Sequence, residues 1–368
     1  MTTTHSISIQ GSEQSAACAE GQTLLDSFLR NGVWVPNSCN QGTCGTCKVR
    51  VHKGAVDHHA SPEHTLPIQE REQGLALACQ ATPIEDTVVE PTHQSADGAK
   101  HFHPLRDFEG VVVGLEEMAR DTKRVRIALE EPIEYSPGQY VELKVPGTDQ
   151  YRHYSLANSS GHDTEIELHV KRQSGGLASD AWIFRSMTLG DRVELKGPLG
   201  DFVYADTQTD GGVIMLAGGT GMAPIKGILQ RMLEDQPDRE IHLYHSVRSE
   251  MDLYDTDYFE GLSDRHPHFH WKPCLTDQEW DGRVGYPSEL VPQEFTTLKG
   301  WSGYLCGPPA MVDAGKRAFK RRRMSPRRIH REKYTVSIPI AETEHPQSEP
   351  KIPITPPAQA ASLAAATS

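Results

Sequence analysis

The sequence predicts a multidomain chain with an α+β domain, an antiparallel β-barrel domain and a doubly wound α/β domain, in that order. Its 368 residues are enough for two or three domains, each able to bury its own core. Short alternating apolar and polar segments fill the first half, whereas apolar runs followed by helical patterns fill the second. This change of period marks the passage from the barrel to the α/β domain.

The first domain, residues 1–92, combines short strands with one helix. SISI and CKVRVHKG alternate as strands do, whereas GQTLLDSFLRNG has helical spacing and ends at Gly32. Residues 93–105 are polar and are interrupted by proline and glycine, which predicts a linker.

We predict the barrel over residues 106–207 and the α/β domain over residues 208–335. The barrel segments EGVVVGLEEM, KRVRIALEE, QYVELKVPG, TEIELHVKR and DRVELKGP recur at regular intervals between turn residues, which is typical of a small closed antiparallel barrel. After them, GVIMLAGGTGMAPIKGIL, REIHLYHSVRS and WSGYLCGPPAMVDAGKRAF alternate strand and helix, as in a parallel doubly wound sheet. Residues 336–368 are rich in Pro, Ala and Ser, and we expect them to be disordered.

Composition narrows the class of protein. A net charge of -13 argues against a chain-wide attraction for nucleic acid, and the basic run at 316–333 is expected to be a solvated helix face or a docking patch for an acidic partner. The start resembles no secretory signal, and no apolar run reaches the roughly 18 residues that a membrane span needs. Seven cysteines, an odd number, favour a reducing cytoplasm. We also expect a monomer.

Three cysteines within nine residues raise the question of a metal site. The spacing C-x4-C-x2-C with a distant fourth cysteine is that of plant-type iron–sulfur proteins, and Gly42 and Gly45 permit the tight turns that such a loop needs. A zinc site usually has two C-x2-C pairs, and a thioredoxin-type pair lies at a strand-to-helix junction; both alternatives stay open but are less favoured. The predicted ligands are Cys39, Cys44, Cys47 and Cys79.

Other cysteines and histidines have no such pattern. Cys18 and Cys274 are expected to be core thiols. His58, His59 and His64 are expected to lie in a polar surface loop, and none of the histidines has the spacing of metal ligands along the chain.

The first domain resembles a known family. GQTLLDSFLRNGVWVPNSCNQGTCGTCKVRV followed by LACQA is similar to the plant-type 2Fe-2S ferredoxin module, a β-grasp domain, at the N-terminus of oxygenase reductases. The resemblance implies a 2Fe-2S cluster whose loop, residues 40–46, faces the redox partner.

RHYSLAN in the barrel places a cation, an aromatic ring and a hydroxyl on one extended segment. On these residues alone, a surface strand without a ligand is the favoured interpretation, because the motif is short. The segment is, however, similar to the R-x-[YF]-S motif of the ferredoxin–NADP reductase superfamily, and HVKRQSGGLASD resembles its second flavin motif. The resemblance implies FAD, with Tyr154 on the flavin ring and Ser155 near N5. The residues implied to bind it are Arg152, His153, Tyr154, Ser155, His169, Val170, Lys171, Gly175, Gly176 and Ser179.

The strand–glycine turn–helix VIMLAGGTGMAPIKGIL suits a pyrophosphate at a helix N-terminus, although a tight turn without a ligand remains an alternative. LYHSVRSEMDLY and YLCGPPAMVDA resemble the dinucleotide motifs of the same superfamily. The resemblance implies NADH, with NADPH possible, and a cysteine near the hydride-donating carbon. The implied nicotinamide-site residues are Gly219, Thr220, Gly221, Ser246, Arg248, Cys306, Gly307 and Pro308.

IHREKY resembles the C-terminal motif of the same superfamily, whose aromatic covers the flavin until nicotinamide displaces it. Tyr334 takes that position, and the implied catalytic set is Tyr154, Ser155, Cys306 and Tyr334. Many members end near this aromatic, whereas this chain continues for about thirty residues, which leaves the placement of Tyr334 open.

Together, the motifs resemble the reductase component of a multicomponent oxygenase of the benzoate and naphthalene dioxygenase type. Such a protein passes electrons from NAD(P)H through FAD and a 2Fe-2S cluster, one at a time, to a Rieske or di-iron oxygenase or to a separate ferredoxin. Two alternatives remain at this point. One is an iron–sulfur flavoprotein reductase of deoxysugar biosynthesis, and the other is a non-enzymatic iron–sulfur electron carrier or redox sensor.

Overall fold

The computed structural model describes residues 3–93, 102–159, 163–205 and 211–334. Within these, the chain divides into two compact units. Unit 1 comprises residues 3–28 and 40–93, and unit 2 comprises residues 29–39 together with the described residues from 102 onward. The middle of the predicted linker and the predicted tail, 336–368, lie outside the described residues, and the domain boundaries stay a prediction.

Unit 1 contains a five-stranded sheet of order β2-β1-β7-β3-β5. Its centre is the parallel pair β1 and β7, and the other neighbours are antiparallel. Helix α1 presents buried Leu25 and Phe28, and Gly32 follows it with φ 76°, as the sequence predicts for a helix end. The elements are β1 Thr4–Ile9, β2 Ser15–Ala19, α1 Leu24–Arg30, β3 Lys48–Lys53, β4 Val56–Asp57, α2 Ile68–Glu72, β5 Leu75–Leu77, β6 Thr82–Pro83 and β7 Thr87–Pro91.

The first part of unit 2 is the antiparallel barrel, with strand order β11-β10-β13-β8-β9-β12. A bridge between Leu156 and Leu168 joins the two end strands and closes the sheet, so the predicted closed barrel is confirmed. Buried side chains alternate with more exposed ones along much of β8 and β9, as expected for strands with one face inside a barrel. The elements are β8 Arg106–Ala119, β9 Thr122–Ile133, β10 Tyr140–Lys144, β11 Tyr151–Ser155, β12 Asp163–Lys171, a π-helix Leu177–Phe184 and β13 Arg192–Leu199.

The second part of unit 2 is a six-stranded sheet of order β17-β16-β15-β14-β18-β19 in which every pair is parallel. The chain adds strands first on one side of β14 and then on the other, which makes the sheet doubly wound, as predicted. The elements are β14 Val213–Gly218, α3 Met222–Asp235, β15 Ile241–Val247, α4 Thr256–Arg265, β16 Phe269–Leu275, β17 Arg283–Val284, α5 Pro287–Glu294, β18 Ser302–Gly307, α6 Pro309–Arg321 and β19 Ile329–Lys333.

The basic run becomes the end of α6, a short 3-10 turn and β19. Two of its arginines stabilise the fold directly, because Arg322 donates to the carbonyl of Pro292 and Arg328 to that of Gly300, each at 2.6 Å. Among the described residues, none of the helices has the length and apolar character needed to cross a lipid bilayer.

Candidate functional site

Unit 1 brings two of the predicted cluster ligands together. The sulfur atoms of Cys47 and Cys79 lie 3.2 Å apart and both side chains are buried. A disulfide would place them about 2.05 Å apart, whereas two thiolates on one tetrahedral ion with bonds of about 2.3 Å are separated by roughly 3.7 Å. The pair is therefore spaced to share one metal ion, with a shift of about half an ångström.

The loop that carries these cysteines turns as the glycines allow. Gly42 and Gly45 both have φ 76°, and a Cβ atom at Gly42 would lie 3.0 Å from the side chains of Gln80 and Pro62. Cys44 is exposed and its sulfur accepts the main-chain N–H of Thr46 at 3.5 Å. This is the donor chemistry that an iron–sulfur cluster needs around its thiolates.

Cys39 is the last residue of the segment 29–39 that belongs to unit 2. Its assignment as a ligand rests on the sequence spacing. The expected core thiols are confirmed, since Cys18 and Cys274 are buried. His59 and His64 are exposed, whereas His58 is half-buried.

The RHYS segment forms β11, which pairs with β10 in the barrel. Arg152 donates to the Gln150 side chain at 2.7 Å and so lies along the strand, and His153 contacts the buried carboxylate of Glu142 at 2.9 Å. Tyr154 packs against the barrel core, and burial raises the pKa of its hydroxyl. Ser155 is buried at the end of the strand. Cation, ring and hydroxyl thus follow one another along a single edge strand.

The second predicted flavin loop is held by a buried acid that the motif did not single out. Asp180 accepts the main-chain N–H of Gly175 at 2.9 Å and binds Arg172 at 2.8 Å. A Cβ atom at Gly176 would lie 2.9 Å from the Ser179 hydroxyl and closer still to a carbonyl, so only glycine fits. The loop therefore keeps a narrow cradle of the kind that admits a pyrophosphate.

Two of the residues predicted from HVK have buried side chains. The side chain of His169 is fully buried and Val170 belongs to the barrel core, while Lys171 donates to the carbonyl of Arg120 at 2.7 Å. A flavin contact from His169 or Val170 must therefore come from the main chain. The His169 imidazole instead contacts Glu167 at 2.9 Å and the hydroxyl of Tyr254 at 3.3 Å.

The predicted nicotinamide motifs meet at the carboxyl edge of the parallel sheet. Gly218 pairs with Ser246 and Ala217 with Cys306, so β14, β15 and β18 end side by side. A Cβ atom at Gly221 would lie 2.3 Å from the carbonyl oxygen of Cys306. The glycine turn and the CGP turn can therefore pack this closely only because residue 221 has no side chain. Open α/β sheets bind ligands at this edge.

The other predicted residues lie around the same turn. Thr220 and Gly219 are half-buried, Gly219 has φ 53° and Gly307 φ 142°, while Arg248 is exposed. The first turn of α3 follows Gly221 directly, and the N–H of its first residue, Met222, donates back to the carbonyl of Gly219.

Residues far apart in the chain converge where the barrel meets this sheet edge. The Tyr334 hydroxyl donates to the Ser155 hydroxyl at 2.9 Å, and Ser155 in turn donates to Glu332 at 3.4 Å. The Cys306 thiol approaches the same Glu332 oxygen at 3.8 Å. We call Ser155, Cys306, Glu332 and Tyr334 the junction cluster. It places Tyr334, whose position the sequence left open, directly against Ser155.

Glu332 is the member that sequence reasoning missed. It occupies one of the two variable positions of the I-H-x-x-K-Y motif, and only its pairing with Cys306 across β18 and β19 reveals it. Burial, together with the charge of Asp201, raises the pKa of Glu332 to about 8, despite the hydrogen bonds from Ser155 and Cys306. The carboxyl group is thus protonated at neutral pH.

Burial also raises the pKa of the Cys306 thiol and the Tyr334 hydroxyl well above their usual ranges, and Glu332 acts in the same direction. The junction cluster is therefore an uncharged, hydrogen-bonded group at neutral pH. Such a surface suits flat, neutral ring systems better than it suits an anion.

A second set of contacts ties the barrel to the sheet. Lys226 at the start of α3 binds Glu167 of β12 at 2.8 Å and Asp255 at 3.0 Å, and Arg124 contacts both acids. The hydroxyl of Tyr254 donates to the carbonyl of Gly219 at 3.3 Å. These contacts orient the glycine turn relative to the barrel.

Comparisons with known proteins agree with this arrangement. Three family models match: the 2Fe-2S iron-sulfur cluster binding domain over residues 7–83, the oxidoreductase FAD-binding domain over 109–204 and the oxidoreductase NAD-binding domain over 215–317. The chain thus carries the modules for a 2Fe-2S cluster, FAD and a nicotinamide dinucleotide, in the predicted order.

Relatives match over almost their whole length. The reductase subunit of an aromatic O-demethylase from an Amycolatopsis species is 51% identical over 90% of this chain and 99% of its own. The reductase component of phenol 2-monooxygenase from a Pseudomonas species is 38% identical over 90% of this chain and 94% of its own. The crystal structure of Amycolatopsis cytochrome P450 reductase GcoB superposes with a TM-score of 0.84 at 50% identity, covering 89% and 98% of the two chains.

The identity of the three domains, their order in the chain and the similarity over almost the whole length of the relatives all support one family assignment. The chain belongs to the family of oxygenase reductase components, NAD(P)H-dependent flavin and iron–sulfur oxidoreductases that join a plant-type ferredoxin domain to ferredoxin–NADP reductase-like flavin and nicotinamide domains.

Proposed function

We propose that this chain delivers electrons from NADH to an oxygenase that acts on an aromatic compound, with the junction cluster as the place where donor and flavin rings meet. The observation that carries the proposal is the convergence of Ser155 on the barrel with Cys306 and Glu332 on the sheet edge. When bound, FAD supplies the conversion of a two-electron hydride into single electrons that a 2Fe-2S cluster can carry.

The junction cluster orients and shields the reacting rings. Ser155 offers a hydroxyl toward the flavin side, and the neutral Glu332 accepts from Ser155 and Cys306 at one oxygen. The Tyr334 ring occupies the nicotinamide position in the resting state, held there by its bond to Ser155. Displacing it costs that hydrogen bond, about 1 kcal/mol, which a nicotinamide ring can offset by stacking.

The remaining predicted residues bind the two dinucleotides. Arg152 and the Gly175–Gly176 loop with Ser179 suit the FAD phosphates, and Tyr154 packs on the flavin ring. Gly219, Thr220 and Gly221 suit the pyrophosphate of the nicotinamide dinucleotide at the N-terminus of α3. Ser246 and exposed Arg248 are proposed to contact the adenosine ribose, with NADH preferred and NADPH possible.

Four cysteines are proposed to hold the cluster. Cys47 and Cys79 are spaced to bind one iron, which assigns the other iron to Cys39 and Cys44. Exposed Thr43 and Cys44 put the loop 40–46 at the surface of unit 1, so we propose that the electron acceptor docks there. Single-electron transfer falls off with distance, and a surface loop keeps the path short.

The acceptor proposed here is the haem of a cytochrome P450 that removes methyl groups from aromatic ethers. The support is the 51% identity with the aromatic O-demethylase reductase subunit, against 38% for the phenol 2-monooxygenase component, and the 50% identity with the Amycolatopsis cytochrome P450 reductase. A Rieske or di-iron oxygenase, or a separate ferredoxin, is the second candidate, since phenol, naphthalene and toluate oxygenase systems also have reductases similar to this chain. We further propose that the protein is cytoplasmic and monomeric and binds neither nucleic acid nor membrane.

Anaerobic titration of the purified holoprotein tests the proposal. NADH should bleach both the flavin and the cluster absorbance, and NADPH should do so more slowly. Cys47→Ser should lose cluster absorbance and one-electron reduction of cytochrome c but retain flavin bleaching by NADH. A wild-type protein that binds FAD but is not reduced by either nucleotide would refute the reductase function.

Rates with candidate acceptors then separate the two acceptor classes. A P450 that is reduced at a rate matching its turnover supports the first candidate, whereas reduction of a Rieske or di-iron component alone supports the second. Charge substitutions at Thr43 that leave these rates unchanged would refute docking at the loop. Light scattering at micromolar concentration checks the monomer.

A further inference from the structure

Two neighbouring parallel strands bring a histidine pair together at the end of the sheet opposite the glycine turn. His242 is the second residue of β15, His270 is the second residue of β16, and the two are register partners. Their rings stack with centroids 4.6 Å apart, and Glu240 precedes β15 directly. Because all strands of this sheet are parallel, their amino ends lie at the edge away from the nucleotide motifs.

The potential ligand atoms of these residues converge on one point. Nε2 of His242 lies 2.7 Å from Oε1 of Glu240, and Nε2 of His270 lies 3.0 Å from the same oxygen. Ligands on a tetrahedral Zn²⁺ with bonds of about 2.0–2.1 Å are separated by roughly 3.3 Å. To admit an ion, the two histidine nitrogens would thus move away from the Glu240 oxygen by about 0.3–0.6 Å.

We infer that Glu240, His242 and His270 form a binding site for a divalent transition ion of the Zn²⁺ class. Two imidazoles and one carboxylate are a ligand set that zinc takes in proteins, with a fourth position for water. Nδ1 of His268 lies 3.6 Å from the other Glu240 oxygen and is outside this set.

Packing holds the histidine at the centre of the site in place. His242 is buried, and its Nε2 meets the carboxylate of Glu240. The rings of Phe295 and Trp301, 4.9 and 5.8 Å from that of His242, hold it in place.

Access and hydrogen bonding also permit binding. The side chains of Glu240 and His270 are 39% and 41% exposed, so an ion can enter from solvent. Nδ1 of His242 is buried with no hydrogen-bond partner among the described residues. When an ion takes Nε2, Nδ1 carries the imidazole proton, and no existing hydrogen bond of that atom is lost.

A bound ion would link the amino ends of β15 and β16, at an edge of the sheet that has no part in the proposed electron transfer. We therefore expect binding to raise the thermal stability of unit 2 while leaving reduction by NADH unchanged. The inference does not depend on the proposed function, and either can fail alone.

Zinc titration of the tag-free, full-length holoprotein tests the site. Isothermal titration with Zn²⁺ should reveal one site per chain, and the affinity should fall about tenfold or more in His270→Ala and Glu240→Gln. His266→Ala is the matched control, because His266 lies on the same segment outside the trio, and it should bind as the wild type does. Cluster absorbance is followed throughout, so that ions captured by the cluster cysteines are recognised.

Cu²⁺ provides a readout of ligand identity. Oxidised FAD and an oxidised 2Fe-2S cluster are silent in electron paramagnetic resonance, so the bound Cu²⁺ signal should show splitting from two imidazole nitrogens in the wild type and from one in His270→Ala. Equal Zn²⁺ affinity in all variants, absence of saturable binding, or loss of cluster absorbance in step with zinc uptake would each overturn the inference.

Discussion

Replacing Glu332 by Gln removes the only member of the junction cluster that exchanges a proton near neutral pH. Glutamine keeps the size of the side chain and an oxygen that can accept from Ser155 and Cys306, so the packing around it is preserved. What changes is the dependence of the free energy of unfolding on pH.

The magnitude follows from the shift in pKa. The carboxyl group of Glu332 has a pKa of about 8 in the folded protein against 4.5 for an unperturbed group, because burial and then the charge of Asp201 disfavour ionisation. With a raised folded pKa, the stabilisation is complete below pH 4.5 and is lost as pH rises toward 8. At about 1.4 kcal/mol per pH unit, with the slope falling to half of that at the folded pKa, the loss between pH 6 and pH 8 is roughly 2 kcal/mol.

Urea unfolding of unit 2, followed by FAD fluorescence at pH 6, 7 and 8, measures this loss. The difference in unfolding free energy between Glu332→Gln and wild type should rise by about 2 kcal/mol in favour of the variant from pH 6 to pH 8. Buried histidines such as His245 affect both proteins equally and cancel in the difference.

A matched control lies on the same part of the chain. Asp313 is a surface carboxylate that pairs with Lys333 at 2.8 Å, and this pairing lowers its pKa, so it is ionised throughout the range. Asp313→Asn should leave the pH dependence unchanged. If Glu332→Gln and Asp313→Asn gave the same pH profile as wild type, the raised pKa of Glu332 and the neutral junction cluster would both be wrong.

Three further substitutions probe the rest of the site. Gly221→Ala should weaken NADH binding at least tenfold with little effect on FAD content, because its Cβ would lie 2.3 Å from the carbonyl oxygen of Cys306; an unchanged dissociation constant for NAD⁺ would contradict this. Lys226→Met should destabilise unit 2 by about 1–3 kcal/mol in urea unfolding, since it leaves two half-buried carboxylates with Arg124 but without Lys226, and an unchanged free energy of unfolding would count against it. Tyr334→Phe keeps the ring but loses the bond to Ser155, so NAD⁺ should bind several-fold more tightly, by about 1 kcal/mol, and weaker binding would refute the displacement of this ring.

The sequence predicts the cluster loop well because its chemistry is local. Cys44 and Cys47 lie on one loop. Gly42 precedes both cysteines and Gly45 lies between them, and the turn requires the left-handed conformation that both glycines adopt. The periodicities of the strands are local in the same sense, and the barrel and the parallel sheet follow from them. Short elements such as β4 and β6, two residues each, have no periodicity to detect.

The junction cluster could not be predicted in full, because strand register is not local. Glu332 lies beside Cys306 only because β19 pairs with β18 in one register, and a slip of one residue would put Arg331 there instead. The motif names Tyr334, whose ring it requires, but passes over the neighbouring acid, whose role comes from burial. Likewise, HVK identifies the segment of His169 but not the inward direction of its side chain.

The same reasoning applies to His242 and His270, which are 28 positions apart in the chain and register partners in the sheet. Residues that act through their register across strands must therefore be sought in the sheet, and the two clusters found in this way are the ones that the experiments above address.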